Sequence, residues 1–130
     1  MDFDYTVVTG KPFDEAVAAV EKASQDKGFR VLHVHDVQAT LAAKGFERGP
    51  LKIIEVCNAK FAHEALERDI KTALMLPCPI VVYVREGATV ISALRPAVIK
   101  DFYPDAGLEG VAAEVDAVVR AIVDEAKSLC

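Results

Sequence analysis

The chain has 130 residues, 52% hydrophobic and 27% charged, a length and composition that suit one domain with a buried core. Its net charge of −5, without a basic stripe, argues against nucleic acid and anionic membranes as partners. No apolar run reaches the roughly 20 residues of a membrane helix, and acids follow Met1 where a signal peptide carries Lys or Arg. We therefore expect a cytoplasmic protein, whose three cysteines are free thiols.

The hydrophobic pattern predicts an alternation of strands and helices. Apolar residues at every second position indicate strands, and apolar residues at helical spacing indicate helices. Pro12, Asp36 and Asn58 suit helix starts. In chain order the predicted elements are strand 3–8, helix 13–28, strand 29–35, short helix 36–45, strand 51–57, helix 58–74, strand 80–84, strand 89–94 and helix 108–126.

Three of these segments define the expected packing. The helix from residue 58 to 74 places large apolar side chains on one stripe, ending in Ile70 and Leu74. The last helix has the clearest stripe and is expected to cover the sheet. Residues 80–84 are apolar on both faces, which predicts a strand buried on both sides. We predict a single α/β (α+β) domain over residues 1–130, with helices packed on a mixed sheet of about five strands.

Two cysteines lie where predicted strands end or begin. Cys57 ends the strand 51–57, and Cys78 lies in a Leu-Pro-Cys-Pro segment that opens the strand 80–84. Ligands of α/β proteins are commonly bound at strand ends. If the two strands are antiparallel, the thiols lie at the same end of the sheet; if parallel, at opposite ends. We predict a ligand pocket around Cys57, Asn58, Cys78 and Pro79, with Asn58 also capping a helix.

The same cysteines allow other interpretations. Free cysteines are commonly small buried hydrophobic residues. Two thiols close in space would instead form a redox pair or share a metal, and a thiolate is also a known haem ligand. Separately, His33 and His35 share one strand face, a spacing that suits a metal site whose third ligand the sequence leaves open.

One set of residues forms a recognisable pattern: Gly28-Phe29, Cys57-Asn58, Ala62, Leu66, Asp69, Leu76-Pro77-Cys78 and Pro96. On these residues, the sequence from 53 to 96 resembles the family called domain of unknown function 302. The sequence differs from the family pattern at two positions. Ala59 stands where the pattern has proline, and Arg85 precedes the glutamate that follows the strand. The resemblance implies a compact α/β domain that forms a homodimer, and it implies no particular reaction.

No catalytic set is recognisable in the sequence. Thr9-Gly10 is too short for a phosphate loop, and no serine belongs to a known triad motif. We therefore predict no catalytic residues, and whether the chain is an enzyme stays open, as does any cofactor. The favoured hypothesis is a dimeric, non-enzymatic domain that binds a small molecule or a partner. The alternative is a thiol-dependent redox, haem-binding or metal-binding protein using Cys57 and Cys78.

Overall fold

The computed structural model describes residues 2–128, so Cys130, to which the sequence assigns no role, lies outside the described residues. Two short 3₁₀ helices, Ile70–Met75 and Pro96–Val98, stand between the main elements, and the Leu76–Pro77 peptide is cis. The strands and α-helices are β1 Asp4–Thr9, α1 Phe13–Asp26, β2 Arg30–Asp36, α2 Val37–Ala42, β3 Leu51–Cys57, α3 Ala59–Arg68, β4 Cys78–Arg85, β5 Ala88–Leu94, α4 Ile99–Phe102 and α5 Glu109–Lys127.

The five strands form one sheet in the order β1-β5-β4-β3-β2. All four pairings are antiparallel. The α+β class and the strand count are confirmed, whereas the prediction of a mixed sheet is wrong. The alternation of strands with helices suggested parallel crossovers, but the long connection through α3 also lets β4 return antiparallel beside β3. The sheet direction was therefore open at the sequence level.

The helices α1 and α5 pack together on one face of the sheet and bury its alternate side chains. Ile54, Val56, Ile80 and Val82 are fully buried beneath them. The apolar stripe predicted for the last helix is confirmed. The prediction that residues 80–84 are buried on both faces is wrong, because Val81 and its alternate neighbours face the uncovered side and stay half-exposed. Among residues 2–128, no helix is long and apolar enough to cross a membrane.

The predicted helix 58–74 is divided in two. Helix α3 ends at Arg68, and Asp69 has an extended backbone with φ −160° and ψ 114°. The Asp69 carboxylate then accepts a hydrogen bond from the Lys71 N–H at 2.9 Å and caps the 3₁₀ helix. The break takes Ile70 and Leu74 off the predicted stripe, and they are 72% and 82% exposed. The prediction that these two side chains continue the apolar stripe of one helix is therefore wrong.

An ion-pair cluster fastens α5 to the end of β5. Arg95 donates from Nε and Nη2 to the two carboxylate oxygens of Asp116, at 3.2 and 3.0 Å. The Ala97 N–H donates to the same carboxylate at 3.3 Å, and Arg120 Nε lies 3.0 Å from it. Burial alone would raise the pKa of Asp116, but these hydrogen bonds and the two guanidinium charges hold that pKa below its usual value.

Candidate functional site

A hollow of about 50 Å³ lies where β3 ends and β4 begins, between α3, α5 and the segment after β5. Its wall is apolar apart from two thiols, one thioether and one amide. None of the described residues that line it carries a formal charge. The lining residues are Phe29, Cys57, Asn58, Phe61, Ala62, Ala65, Met75, Leu76, Cys78, Leu94, Pro96, Val98, Ile99, Leu108, Val111, Ala112 and Val115.

The antiparallel register brings the two cysteines to the same end of the sheet. Val56 lies directly opposite Cys78, so Cys57 is one residue beyond the partner of Cys78. The Cα atoms of Cys57 and Cys78 are then about 6 Å apart by the geometry of an antiparallel pair. Because side chains alternate along a strand, Cys78 points to the core face with Val56, and Cys57 points to the opposite face. Both residues are half-buried and free, and both line the hollow. Of the two arrangements that the sequence left open, the structure has the antiparallel one.

Both thiols are held in their neutral form. Burial raises the pKa of Cys78 to about 11, and the negative charge of an ionised Cys57 adds to this effect. Burial also raises the pKa of Cys57. A buried thiol of raised pKa is a poor nucleophile, because the thiolate is the reactive form.

The side chain of Asn58 is committed to the fold. Its Oδ1 accepts hydrogen bonds from the Lys60 and Phe61 N–H groups, at 3.1 and 3.2 Å, which caps α3. Its Nδ2 donates to the Gly28 carbonyl at 3.2 Å, which holds the turn between α1 and β2 against the start of α3. Asn58 therefore shapes the wall of the hollow, and both ends of its amide already have partners within the protein.

The other predicted site residues lie elsewhere. Pro79 is not part of the hollow, because it pairs with Glu55 and successive β4 side chains alternate between faces. His33 and His35 are exposed on β2 with their ring centroids 4.3 Å apart, and His35 Nε2 lies 3.3 Å from Glu55 Oε1. Within residues 2–128, no three His, Cys, Asp or Glu side chains are grouped to hold a metal ion. The two-histidine site stays a prediction.

The sequence analysis did not predict most of the residues that line the hollow. Met75 ends the 3₁₀ helix just before the Leu-Pro-Cys segment, and this adjacency was a visible signal. Phe61 reaches the hollow one turn into α3, where its ring lies 6.2 Å from that of Phe29. The α5 residues Val111 and Ala112 belong to the stripe that was predicted to cover the sheet. An apolar stripe does not indicate which of its residues border a hollow.

The wall of the hollow is mostly hydrocarbon. Its lining residues include Cys57, Cys78 and Met75, and the other lining side chains are hydrocarbon apart from Asn58. No carboxylate, imidazole or amine among the lining residues is placed to move a proton. A neutral molecule suits such a wall, since a hard ion would lose its hydration without replacement.

Comparisons with known proteins match the whole domain. The model of the family described as "Domain of unknown function DUF302" matches residues 5–126. A crystal structure titled as an uncharacterized conserved DUF302 protein from Bacillus stearothermophilus is 30% identical, with a TM-score of 0.91, over 97% of this chain and 99% of that one. A comparison with curated proteins gave no match. The family model covers far more than half of the sequence, so this chain belongs to the DUF302 family.

Proposed function

We propose that this chain is a non-enzymatic domain that binds a small ligand in the hollow beside Cys57 and Cys78. The observation that carries this proposal is a concave, apolar space at a strand end with no acid or base in its wall. Since roughly 10–15 Å³ accommodates one water, a volume of about 50 Å³ suits a ligand of a few heavy atoms. A porphyrin is far larger, which leaves the haem alternative with the least support.

The test uses xenon, which enters small apolar cavities, and a panel of neutral molecules of a few heavy atoms. Binding is followed by amide chemical-shift changes in the folded protein. We expect shifts at the cysteines and at Ala112, and we expect Ala62→Leu to abolish them by filling the hollow. Ala59→Leu adds the same side chain to the exposed side of α3 and is the matched control. Absence of binding, or unchanged binding in Ala62→Leu, would contradict the proposal.

We also propose that the domain acts as a homodimer joined through the uncovered face of the sheet. Apolar side chains such as Ile53, Val81 and Tyr83 are half-exposed on that face, and Val8 is 58% exposed. Five strands about 4.8 Å apart and about 20 Å long span a flat area of roughly 500 Å². The accessible surface of a pleated sheet exceeds its flat area and approaches the roughly 800 Å² per partner of a standard interface.

Light scattering on the purified protein tests the dimer. We expect a dimer for the wild-type chain and a monomer for Ile53→Arg, because the new charge would be buried between two copies. Leu74→Arg places the same charge at the exposed 3₁₀ helix Ile70–Met75 and should leave the dimer intact. A wild-type monomer at high concentration would refute the dimer. Dissociation by Leu74→Arg but not by Ile53→Arg would show that the interface is not on the uncovered sheet face.

A thiol-based function is the second candidate, and the position of both cysteines at one end of the sheet favours it. Their raised pKa values argue against redox catalysis, which needs a thiolate at neutral pH. Replacing both Cys57 and Cys78 by serine separates the two candidates. A peroxide response that disappears in this variant would support thiol chemistry and contradict a purely binding role.

A further inference from the structure

We propose that the hollow binds the aliphatic tail of a short-chain monocarboxylate, whose carboxylate group pairs with Arg95 in place of Asp2. This inference rests on the proposed function, because it names the ligand class of the same hollow. The apolar wall suits only the uncharged tail of such a molecule. The charged end stays outside that wall, at the guanidinium of Arg95.

The ion pair between Arg95 and Asp116 borders the hollow. Arg95 lies between Leu94 and Pro96, which both line the hollow. Asp116 follows Val115, a lining residue of α5. The Arg95 side chain crosses from the end of β5 to α5, where its guanidinium reaches the Asp116 carboxylate at 3.2 and 3.0 Å. The hollow lies between the same two elements, so one ligand can contact both the apolar wall and the guanidinium.

The guanidinium of Arg95 is fixed along one edge and exchangeable along the other. Its Nε and Nη2 donate to Asp116, whose side chain is 3% exposed and also accepts a hydrogen bond from the Ala97 N–H. This buried contact holds the plane of the guanidinium in one orientation. Its Nη1 donates to Asp2. Once Asp2 leaves, the edge formed by Nη1 and Nη2 is open, and such an edge binds a carboxylate with two hydrogen bonds.

Asp2 is a weak competitor for this position. Its carboxylate lies 2.8 Å from Arg95 Nη1, but its side chain is 79% exposed. An exposed ion pair contributes little to stability, because water and side-chain entropy oppose it. The charge balance is kept by the exchange, since one carboxylate replaces another beside the two guanidinium groups of Arg95 and Arg120. The ligand adds the burial of its tail, which Asp2 does not supply.

The size of the hollow sets the length of the tail. A volume of about 50 Å³ holds roughly four water-sized groups, and a carbon of an alkyl chain is of similar size. Each methylene that leaves water for the hollow should raise the affinity about fourfold. We expect the affinity to rise from acetate to valerate and to level off at hexanoate. An affinity that does not change along this series would show that the tail stays in water, and it would overturn the inference.

A chemical-shift titration of the folded protein at pH 7 compares butyrate with its neutral amide, butyramide. We expect butyrate to bind about tenfold more tightly, because hydrogen bonds to a charged group are the stronger ones. Both ligands should shift the amide of Ala112 in the hollow, and butyrate alone should shift the Nε–H of Arg95. Equal affinities, or an Arg95 Nε–H that butyrate leaves unchanged, would refute the pairing with Arg95.

Two surface variants test the role of Asp2. Asp2→Asn removes the competing carboxylate and should raise the affinity for butyrate by up to about fivefold, the most that an exposed ion pair contributes. Asp4→Asn removes the same charge from an exposed position of β1 and is the matched control, which should leave the affinity unchanged. Equal effects of the two variants would mean that only the overall charge matters, and this would contradict the exchange at Arg95.

The hollow variant separates this inference from the proposed function. Ala62→Leu fills the hollow and should abolish butyrate binding. Butyrate binding that persists in Ala62→Leu would place the ligand outside the hollow and overturn the inference. Xenon binding without any preference for butyrate over butyramide would refute this inference and leave the proposed function standing. Absence of both xenon and butyrate binding would refute the two together.

Discussion

Replacing Asp116 by asparagine tests whether the ion-pair cluster holds α5 on the sheet. The Asp116 side chain is 3% exposed, and its carboxylate accepts three hydrogen bonds, two from Arg95 and one from the Ala97 N–H. Asparagine keeps the shape but loses the charge, and its amide NH₂ would face a guanidinium donor. The variant therefore leaves the Arg95 cation without its main partner.

The expected loss is about 3 kcal/mol of unfolding free energy, the low end of the 3–5 kcal/mol for breaking a buried pair. The low end applies because the Arg95 side chain is 23% exposed and keeps Asp2 at 2.8 Å. The Arg120 side chain is 46% exposed, and its pair adds at most about 1 kcal/mol. Against a total stability of roughly 5–15 kcal/mol, this loss is large.

Urea unfolding at pH 7 measures the loss, with Asp124→Asn as the control on the same helix. The Asp124 carboxylate accepts a hydrogen bond from Tyr5 at 2.7 Å at the exposed surface. We expect that control to lose no more than about 1 kcal/mol. If Asp116→Asn loses no more than Asp124→Asn, the cluster does not anchor α5 and the reasoning is wrong.

The pH dependence of the stability provides a second test of the Asp116 cluster. The pKa of Asp116 is lower in the folded chain than its ordinary value of about 3.9. The unfolded state therefore binds a proton first as the pH falls, so the contribution of Asp116 is complete above about pH 5 and declines below about pH 4. The stability difference between wild type and Asp116→Asn should stay constant from pH 7 to about 5 and shrink below about 4. A difference that grows in acid would contradict this assignment.

Three further predictions concern the hollow and its surroundings. Asn58→Ala should lose about 1–2 kcal/mol in urea unfolding, since it removes the α3 cap and the hydrogen bond to Gly28, and a loss below 0.5 kcal/mol would contradict that role. In alkylation by iodoacetamide at pH 8, Cys78 should react far more slowly than Cys57, because with a pKa of about 11 roughly a thousandth of it is thiolate. Equal rates would show that Cys78 is not buried as described. Leu74→Lys should change stability by less than about 0.5 kcal/mol, since that side chain is 82% exposed, and a larger loss would place it in the core.

Local patterns predicted the elements well, and long-range geometry was harder. The stripe of α5 and the alternation of β3 depend on neighbouring residues alone, so the sequence was sufficient for both. The direction of β4 against β3 depends on how a long connection crosses the sheet, which periodicity does not report. The break at Asp69 has a similar cause. The Asp69 side chain can cap a new helix or leave α3 to continue, and the helical spacing of Ile70 and Leu74 is compatible with either outcome.

The candidate site divides in the same way. Cys57 and Cys78 were predicted as a pair because they lie at strand ends, and the antiparallel register places both at the same end of the sheet. Pro79 was included by adjacency, and the alternation of β4 places it on the other face. Met75 and the α5 residues became part of the wall only through packing. The sequence identifies the reactive side chains. The shape of a hollow depends on how several helices and strands pack together, which the sequence pattern does not report.

The division of the predicted long helix at Asp69 has a consequence for the wall of the hollow. The segment Ile70–Met75 carries its own N-cap, and Asn58 caps α3 separately. The position of Met75 therefore does not follow from the direction of α3. It depends on the Asp69 cap and on the hydrogen bond that Tyr103 Oη donates to the Lys71 carbonyl at 2.6 Å.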